Sequence, residues 1–276
     1  TMYILPNAKI NIGLNVVSKR LDGYHDLQTV FYPIPITDAI EIKTLEKSTV
    51  PYEFFSSGIP IPGGIENNLI VKVFLELKKE YNLPPLSINL AKHIPIEAGL
   101  GGGSSDCAHM MKLLNEFFSL GLSDEDMEKK VSRFGADCAF FIRNKPVFAE
   151  GLGDTFSQID ISLKDYFIVL VKPDISISTR QAFSAIIPHN PNNDLKNILS
   201  TEPISQWKYK ISNIFERSIF PLFPNLQVIK ETLYDIGAIY ASMSGSGSTI
   251  YGIFDRPIEN LCSIFPDCFT YSHRLS

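Results

Sequence analysis

Glycines and serines are concentrated in one stretch of the sequence, from Ile94 to Ala108, which reads IPIEAGLGGGSSDCA. The glycines at positions 99 and 101–103 separate an alternating segment, typical of a strand, from a segment whose apolar spacing predicts a helix. Glycine lets backbone N–H groups approach a ligand without a Cβ, and a helix start adds unpaired donors and a positive dipole end. The stretch therefore predicts an anion site, and we favour a phosphate over a plain turn capped by serine.

This glycine loop differs from the two common nucleotide-binding loops. No Gly-Lys-Ser/Thr sequence follows the glycines, as a P-loop requires, and Ser104 stands where a dinucleotide fingerprint would have its third glycine. The sequence therefore indicates a third kind of nucleotide loop.

Three other places could carry chemistry, each with a plainer alternative. A turn at residues 22–23 presents Tyr24 and His25, which could stack on and hydrogen-bond a flat heterocycle or form an ordinary hairpin tip. Asp137 follows the glycine that ends a predicted helix, so it is either a partly desolvated carboxylate or a turn residue. Residues 244–247, Ser-Gly-Ser-Gly, predict a loop that either closes on a phosphate or turns a hairpin.

Periodic segments predict the elements that position these residues. Residues 10–17 alternate as a half-buried strand with Lys9 at its beginning. A helix is predicted from Asn67 or Asn68 through Tyr81, and Ser123 with Asp126 predicts a capping box on a later helix. In contrast, residues 52–65 predict a loop or a loose hairpin, residues 188–206 predict a loop, and residues 205–220 predict a single helix.

Length and composition limit the class of protein. The 276 residues, 45% of them hydrophobic, fit one large domain or two of ordinary size, and we expect two, over residues 1–155 and 156–276. A formal net charge of -5 without long single-sign runs gives no electrostatic case for nucleic acid or a membrane as partner. The expected partner is a small molecule, and the sequence leaves the oligomeric state open.

The cysteines and the hydropathy pattern indicate the compartment. Cys107, Cys138, Cys262 and Cys268 have neither CxxC pairing nor zinc-like histidine spacing, which favours reduced thiols. No apolar run approaches the length of a membrane span, and no signal-peptide pattern opens the chain. We therefore expect a cytoplasmic protein.

Three segments in a fixed order carry a resemblance to a known family: the strand with Lys9, the glycine loop, and ASMSGSGSTIYGIF near the end. Their order, and the pattern Pro-x-x-x-Gly-Leu-Gly-Gly-Gly-Ser-Ser, resemble the GHMP kinases. PNAKINIGLNV, RLDGYHDLQTVF and FGADCAFFI are further similar to the branch that phosphorylates a cytidine diphosphate ester of methylerythritol in non-mevalonate isoprenoid biosynthesis. The resemblance covers nearly the whole chain.

The resemblance implies a fold and a reaction. The fold would be α+β in two lobes, an S5-like N-terminal nucleotide domain and a C-terminal α+β domain, with the active site in the cleft between them. The reaction would move the γ-phosphoryl group of ATP to the 2-hydroxyl of the ester. Magnesium is expected with ATP, but the sequence does not identify its protein ligands.

The resemblance also implies roles for individual residues. Asp137 matches the catalytic base and Lys9 its partner, and phosphoryl transfer does need a proton acceptor and a cation near the transferring group. The residues matching substrate contacts are Asn11, Tyr24, His25, Phe183 on the other face of the cytosine, Ser244 and Gly245. Those matching the ATP phosphate loop are Pro95, Ile96, Glu97, Ala98, Gly99, Leu100, Gly101, Gly102, Gly103, Ser104 and Ser105. Glu97 departs from the small residues of many relatives, and we expect its carboxylate to face solvent.

Two alternatives remain at this stage. A kinase of the same superfamily could act on another alcohol, such as mevalonate or homoserine, but these lack a base for Tyr24, His25 and Phe183 to hold. A nucleotide-binding regulator could have kept the fold and lost catalysis. The presence of both Lys9 and Asp137 argues against that second alternative.

Overall fold

The computed structural model describes residues 1–189, 191 and 194–276. These residues form two compact units that are interleaved along the chain. Unit 1 comprises Thr1–Ala8, Ile36–Ile96 and Gly101–Lys145, and unit 2 comprises Lys9–Pro35, Glu97–Leu100 and Pro146–Ser276. The predicted domains are each contiguous in sequence, whereas each of the two units consists of three separate segments. Within the glycine loop, for example, the chain passes from unit 1 into unit 2 at Glu97 and back into unit 1 at Gly101.

The strands form three sheets of four strands each among the described residues. They are Met2–Ile4 (β1), Asn7–Lys19 (β2), His25–Thr37 (β3), Ala39–Thr44 (β4), Tyr52–Gly58 (β5), Leu86–Lys92 (β6), Val147–Gly151 (β7), Thr155–Gln158 (β8), Phe167–Pro173 (β9), Tyr240–Met243 (β10), Ile250–Phe254 (β11) and Cys268–Arg274 (β12). Unit 1 contains the sheet β1-β4-β6-β5, in which only the β5–β6 pair is parallel.

Unit 2 holds the other two sheets, β10-β11-β9-β12 and β2-β3-β7-β8, apart from the first two residues of β2 and the last two of β3. The sheet β10-β11-β9-β12 is antiparallel throughout. Alternating apolar residues of its strands, such as Val169 and Val171, are completely buried and face an apolar core shared with the helices of this unit.

The helices are Leu69–Tyr81 (α1), Gly102–Phe117 (α2), Asp124–Val131 (α3), Phe140–Arg143 (α4), Thr179–Ser184 (α5), Leu195–Thr201 (α6), Ile204–Lys210 (α7), Phe215–Ile219 (α8), Pro224–Asp235 (α9) and Leu261–Ile264 (α10). A 3-10 turn covers Ile65–Asn67. The predicted caps are confirmed: the Asn68 side chain accepts from the N–H of Ile70, and Ser123 and Asp126 form the capping box of α3. Both units combine helices with sheets, so the expected α+β class is confirmed.

Three predictions of local structure are wrong, for related reasons. Residues 52–58 form an edge strand, β5, that pairs in parallel with β6, rather than a loop or a loose hairpin. The hydrogen bonds of this strand come from β6, and its exposed, serine-rich sequence does not by itself indicate that pairing. The predicted loop 188–206 contains α6, although its residues 190, 192 and 193 lie outside the described part. The predicted helix 205–220 is broken at 211–214, where the Leu14 N–H donates to Ser212 and the Ile214 N–H to Leu14.

Candidate active site

Lys9 lies on β2 in unit 2 and is 3% exposed. Its ammonium group donates to Oδ1 of Asn11 at 2.7 Å and to the Gly99 carbonyl oxygen at 3.3 Å. It also lies 4.9 Å from the centre of the Phe31 ring. Lys9 and Asn11 share one face of the strand because side chains alternate. The structure thus brings together two predicted site residues and the glycine loop.

The amide of Asn11 is oriented by Thr29, a residue of β3 that sequence reasoning missed. Asn11 Nδ2 donates to Thr29 Oγ1 at 3.1 Å, and that hydroxyl donates to the Gly13 carbonyl at 2.5 Å. The side chains in this series of hydrogen bonds, Lys9, Asn11 and Thr29, are each at most 3% exposed. Because the amide nitrogen is held by Thr29, the amide oxygen faces Lys9. The sequence feature that could have indicated this role is a polar residue, Thr29, within the apolar part of β3.

Ser244 joins the two glycine-containing loops of unit 2. Its hydroxyl accepts from the Asn11 N–H at 3.2 Å and donates to the Gly99 carbonyl at 2.8 Å, and the residue is fully buried. Its side chain is therefore committed inside the protein, and the half-buried backbone of Gly245 is the more accessible part of the loop. Asn213, also missed from sequence, holds this loop by donating to the carbonyls of Met243 and Gly245 at 2.8 and 2.7 Å.

Gly99 tolerates no side chain at this junction. Its φ is +76°, and a Cβ there would lie 2.0 Å from the Ser244 carbonyl oxygen. We expect Gly99→Ala to lower the free energy of unfolding by at least about 2 kcal/mol, because left-handed strain adds to a clash with backbone. Urea denaturation measures this loss. Gly103→Ala is the control, since a Cβ at Gly103 meets no atom within 4 Å; equal stability of the two variants would contradict the expectation.

In unit 1 the rest of the glycine loop opens α2. Gly101 has φ +69° and caps the helix without a side chain, and the first intrahelical bond runs from the Ser105 N–H to Gly101 at 2.9 Å. The amides of residues 102–104 precede that bond and are the donors that a helix start offers to an anion. Ser105 is fully buried, with its hydroxyl donating to the Asn7 carbonyl at 2.5 Å. Ser104, half-buried, is therefore the serine more accessible to a ligand.

Asp137 is half-buried in a turn of unit 1 that lies against the start of α2. A Cβ on Gly135 would lie 3.7 Å from Ser104 Oγ and 3.2 Å from Cys138 Sγ. The Cys107 hydrogen bond lowers the pKa of Cys138. The structure thus places the turn of Asp137 beside Ser104 of the glycine loop.

His25 and Phe183, which the sequence predicts on opposite faces of a cytosine, contact each other in unit 2. Their rings stack directly, with centroids 4.7 Å apart and an angle of 17° between the planes. A base between them would need two van der Waals gaps, about 7 Å in all, so the rings must separate to admit one. Burial, and to a lesser degree the charge of Lys19, lowers the pKa of His25. Tyr24 is 63% exposed beside this pair.

The other residues of the glycine loop anchor it or face solvent. Ala98 and Leu100 are buried, as is Pro95, and the Leu100 carbonyl accepts from the Lys9 N–H at 3.0 Å. Ile96 is half-buried. Glu97 is exposed, as expected, and adopts a left-handed φ of 50°.

Neither a metal-binding cluster nor a membrane-spanning helix is found among the described residues. No group of three or more His, Cys, Asp or Glu side chains is arranged to hold a metal ion. No described helix is both long and apolar enough to cross a bilayer. All four cysteines are free thiols.

Comparisons with known proteins give consistent results. Residues 68–145 match the GHMP kinases N terminal domain, and residues 187–268 match the GHMP kinases C terminal domain. A Bacteroides fragilis protein named 4-diphosphocytidyl-2-C-methyl-D-erythritol kinase is 56% identical over 275 residues, covering 99% of this chain and 100% of that protein. A Parabacteroides distasonis protein of the same name is 50% identical and covers 100% of both chains. A crystal structure of 4-(cytidine 5'-diphospho)-2C-methyl-D-erythritol kinase has a TM-score of 0.75 at 28% identity, covering 91% of this chain and 90% of that chain.

Proposed function

This chain belongs to the 4-diphosphocytidyl-2-C-methyl-D-erythritol kinases of the GHMP kinase family, and from that membership we propose how its residues carry out the reaction. The chain is a small-molecule kinase of isoprenoid precursor biosynthesis, with ATP as phosphoryl donor and the 2-hydroxyl of the cytidine diphosphate ester as acceptor. The observation that carries the assignment of roles is the buried ammonium of Lys9, held between Asn11 and the glycine loop at Gly99.

The phosphates of ATP bind at the first turn of α2. The amides of residues 102–104 lack helical acceptors, and an exposed Gly103 leaves room for a ligand to approach the backbone. Helix starts of this kind bind phosphate because the N–H groups and the helix dipole favour negative charge. The buried Pro95, Ala98 and Leu100 hold the loop in shape rather than contact ATP.

Asp137 and Lys9 act on the transferred group. The Asp137 carboxylate accepts the proton of the 2-hydroxyl as that oxygen attacks the γ-phosphorus, and Lys9 neutralises charge that develops on the phosphoryl oxygens. Asn11 fixes the position of the Lys9 ammonium through the 2.7 Å bond to its amide oxygen. Such preorganisation makes a cation more effective because it needs no reorientation during the reaction.

Magnesium fits this site as an ion carried by ATP. Mg²⁺ keeps several waters and binds substrate phosphates in preference to closed protein cages, in keeping with the lack of a ligand cluster among the described residues. When bound it would supply charge neutralisation on the phosphates.

We also propose a cytoplasmic location, which the free thiols support.

A substrate panel tests the proposed function. Purified protein with ATP and magnesium should consume ATP with the cytidine diphosphate ester and not with mevalonate or homoserine, because the latter two have no base for the aromatic pair. A coupled assay of ADP release measures the rates. Turnover of mevalonate or homoserine alone would reject the assignment, and nucleotide binding without any turnover would favour a regulator.

The variant Phe183→Leu adds a readout of base recognition to the same panel. Stacking on an aromatic side chain contributes roughly 1 to 3 kcal/mol per base, so the KM for the ester should rise about tenfold while the KM for ATP stays unchanged. Leu222→Ala serves as the matched apolar control, because Leu222 is 56% exposed in the same unit.

A further inference from the structure

Three charged side chains are buried together in unit 1 at the start of α2. Asp38 lies between β3 and β4, Lys92 ends β6, and Asp106 lies in α2. Their exposed fractions are 0%, 4% and 4%. Nothing in the sequence pattern singled them out, and the mechanism above does not use them.

Lys92 lies between the two carboxylates. Its Nζ donates to Asp38 Oδ2 at 2.5 Å and to Asp106 Oδ2 at 2.7 Å. Asp38 is fully satisfied, because its other oxygen accepts from the N–H groups of His93 at 2.6 Å and Ile94 at 2.8 Å. Asp106 is not, since its buried Oδ1 has no hydrogen-bond partner among the residues that the structure describes.

The charge of this cluster depends on Asp106. With both carboxylates ionised, one ammonium leaves a net charge of about -1 in a buried place, which is costly. Desolvation raises the pKa of Asp106 to about 8, although the charge of Lys92 opposes this shift. Against desolvation, the charges of Asp106 and Asp38 raise the pKa of Lys92. A proton on Asp106 makes the cluster neutral overall, and the raised pKa favours that form.

The cluster lies directly under the phosphate loop. A Cβ on Gly102, the first residue of α2, would be 3.2 Å from Lys92 Nζ and 2.9 Å from Ile94 Cγ2. The absence of a side chain at Gly102 thus allows the ammonium to approach the helix start. Any net charge on the cluster acts on an anion bound there at short range and through little solvent.

Two further ionisable groups, Glu76 of α1 and His109 of α2, are compensated or neutral. From α1, Glu76 acts on Cys107 but is paired with Arg133. On α2 itself, burial lowers the pKa of His109 to about 4, so this imidazole is neutral at physiological pH. The groups that face Asp106 are thus Lys92 from β6 and Asp38 from the turn before β4.

We propose that Asp106 is a positioning residue for ATP, which holds Lys92 against Gly102 and, by keeping its proton, prevents the cluster from repelling the triphosphate. This rests on the proposed function, since it presumes that the phosphates bind at the start of α2. ATP binding is then coupled to the protonated form of Asp106. Affinity falls as the pH rises through the titration of this carboxyl and is retained at lower pH.

Binding of a non-hydrolysable ATP analogue with magnesium, measured by calorimetry at pH 7 and pH 9, tests the proposal. The Kd of the wild type should rise about tenfold, because the protonated fraction of a group with a pKa of about 8 falls by about that factor. Asp106→Asn keeps an oxygen for Lys92 without an ionisable group, so its Kd should be the same at both pH values.

The control is Glu116→Gln, which removes an exposed carboxylate from the same helix and should keep the pH dependence of the wild type. A pH-independent Kd in the wild type, or an equal dependence in Asp106→Asn, would overturn the proposal. If the variant does not fold, a second measurement on the wild type decides. Binding heats measured at pH 8 in buffers of different ionisation enthalpy give the number of protons that the protein takes up when it binds the analogue. About half a proton supports the proposal and no uptake rejects it. Failure to bind the analogue at any pH would reject the proposed function instead.

Discussion

Asp137→Asn should lower kcat for the cytidine diphosphate ester at least about 100-fold, which is the contribution typical of a general base. The asparagine has the same size and suits the same turn, but its amide cannot take the proton of the attacking hydroxyl. The KM for ATP should stay within about twofold of the wild-type value, because Asp137 is assigned to the acceptor and not to the nucleotide. Steady-state kinetics with each substrate varied in turn measures both quantities.

A matched control for this variant is Asp160→Asn, which changes an exposed aspartate in the connection between β8 and β9 and should leave kcat unchanged. Full activity in Asp137→Asn would remove this residue from the mechanism. An equal loss of ATP affinity would instead make it a nucleotide-binding residue.

Lys9→Met should lower kcat by about 10² to 10³, the range seen when a preorganised group that stabilises developing charge is removed. Methionine fills similar space, so the loss reflects the ammonium rather than a cavity. The Gly99 carbonyl keeps its bond from Ser244, but the buried Asn11 oxygen loses its donor, which costs about 1 to 3 kcal/mol of stability. Kinetics and urea denaturation measure the two effects separately.

The exposed Lys43 on β4 provides the comparison for Lys9. Lys43→Met should change neither kcat nor the free energy of unfolding by more than a small amount. Wild-type turnover in Lys9→Met would exclude a role for this ammonium in transfer, whatever its effect on stability.

Local patterns predicted the parts of the fold whose causes are local. The cap at Asn68 and the capping box of Ser123 depend on residues two or three positions away, so the sequence displays them directly. The glycine loop opening α2 is similar, since its conformation depends on the glycines themselves. The edge strand β5 was missed because its hydrogen bonds come from β6. The paired residues Tyr52 and Leu86 are 34 positions apart in the sequence.

The sequence predicted candidate site residues but not the side chains that hold them in place. Lys9, Asn11 and the glycine loop followed from motif resemblance, and the structure brings them together in unit 2. Thr29 and Asn213 act through contacts between distant segments, which no spacing rule anticipates. Ser244 shows the limit most clearly, because a serine in a glycine-rich loop suggests a ligand contact, whereas its hydroxyl is used to join two loops.

The bond from the Asn11 N–H to Ser244 spans 233 positions of the chain, and this affects how the protein can be made. The ribosome exposes Lys9 long before it produces the serine that completes its surroundings. Until then the ammonium and the amide beside it remain hydrated, and unit 2 lacks most of its chain. The surroundings of Lys9 are therefore completed only after Ser244 has been synthesised, so a nascent chain stalled before that residue cannot yet hold the ammonium in place.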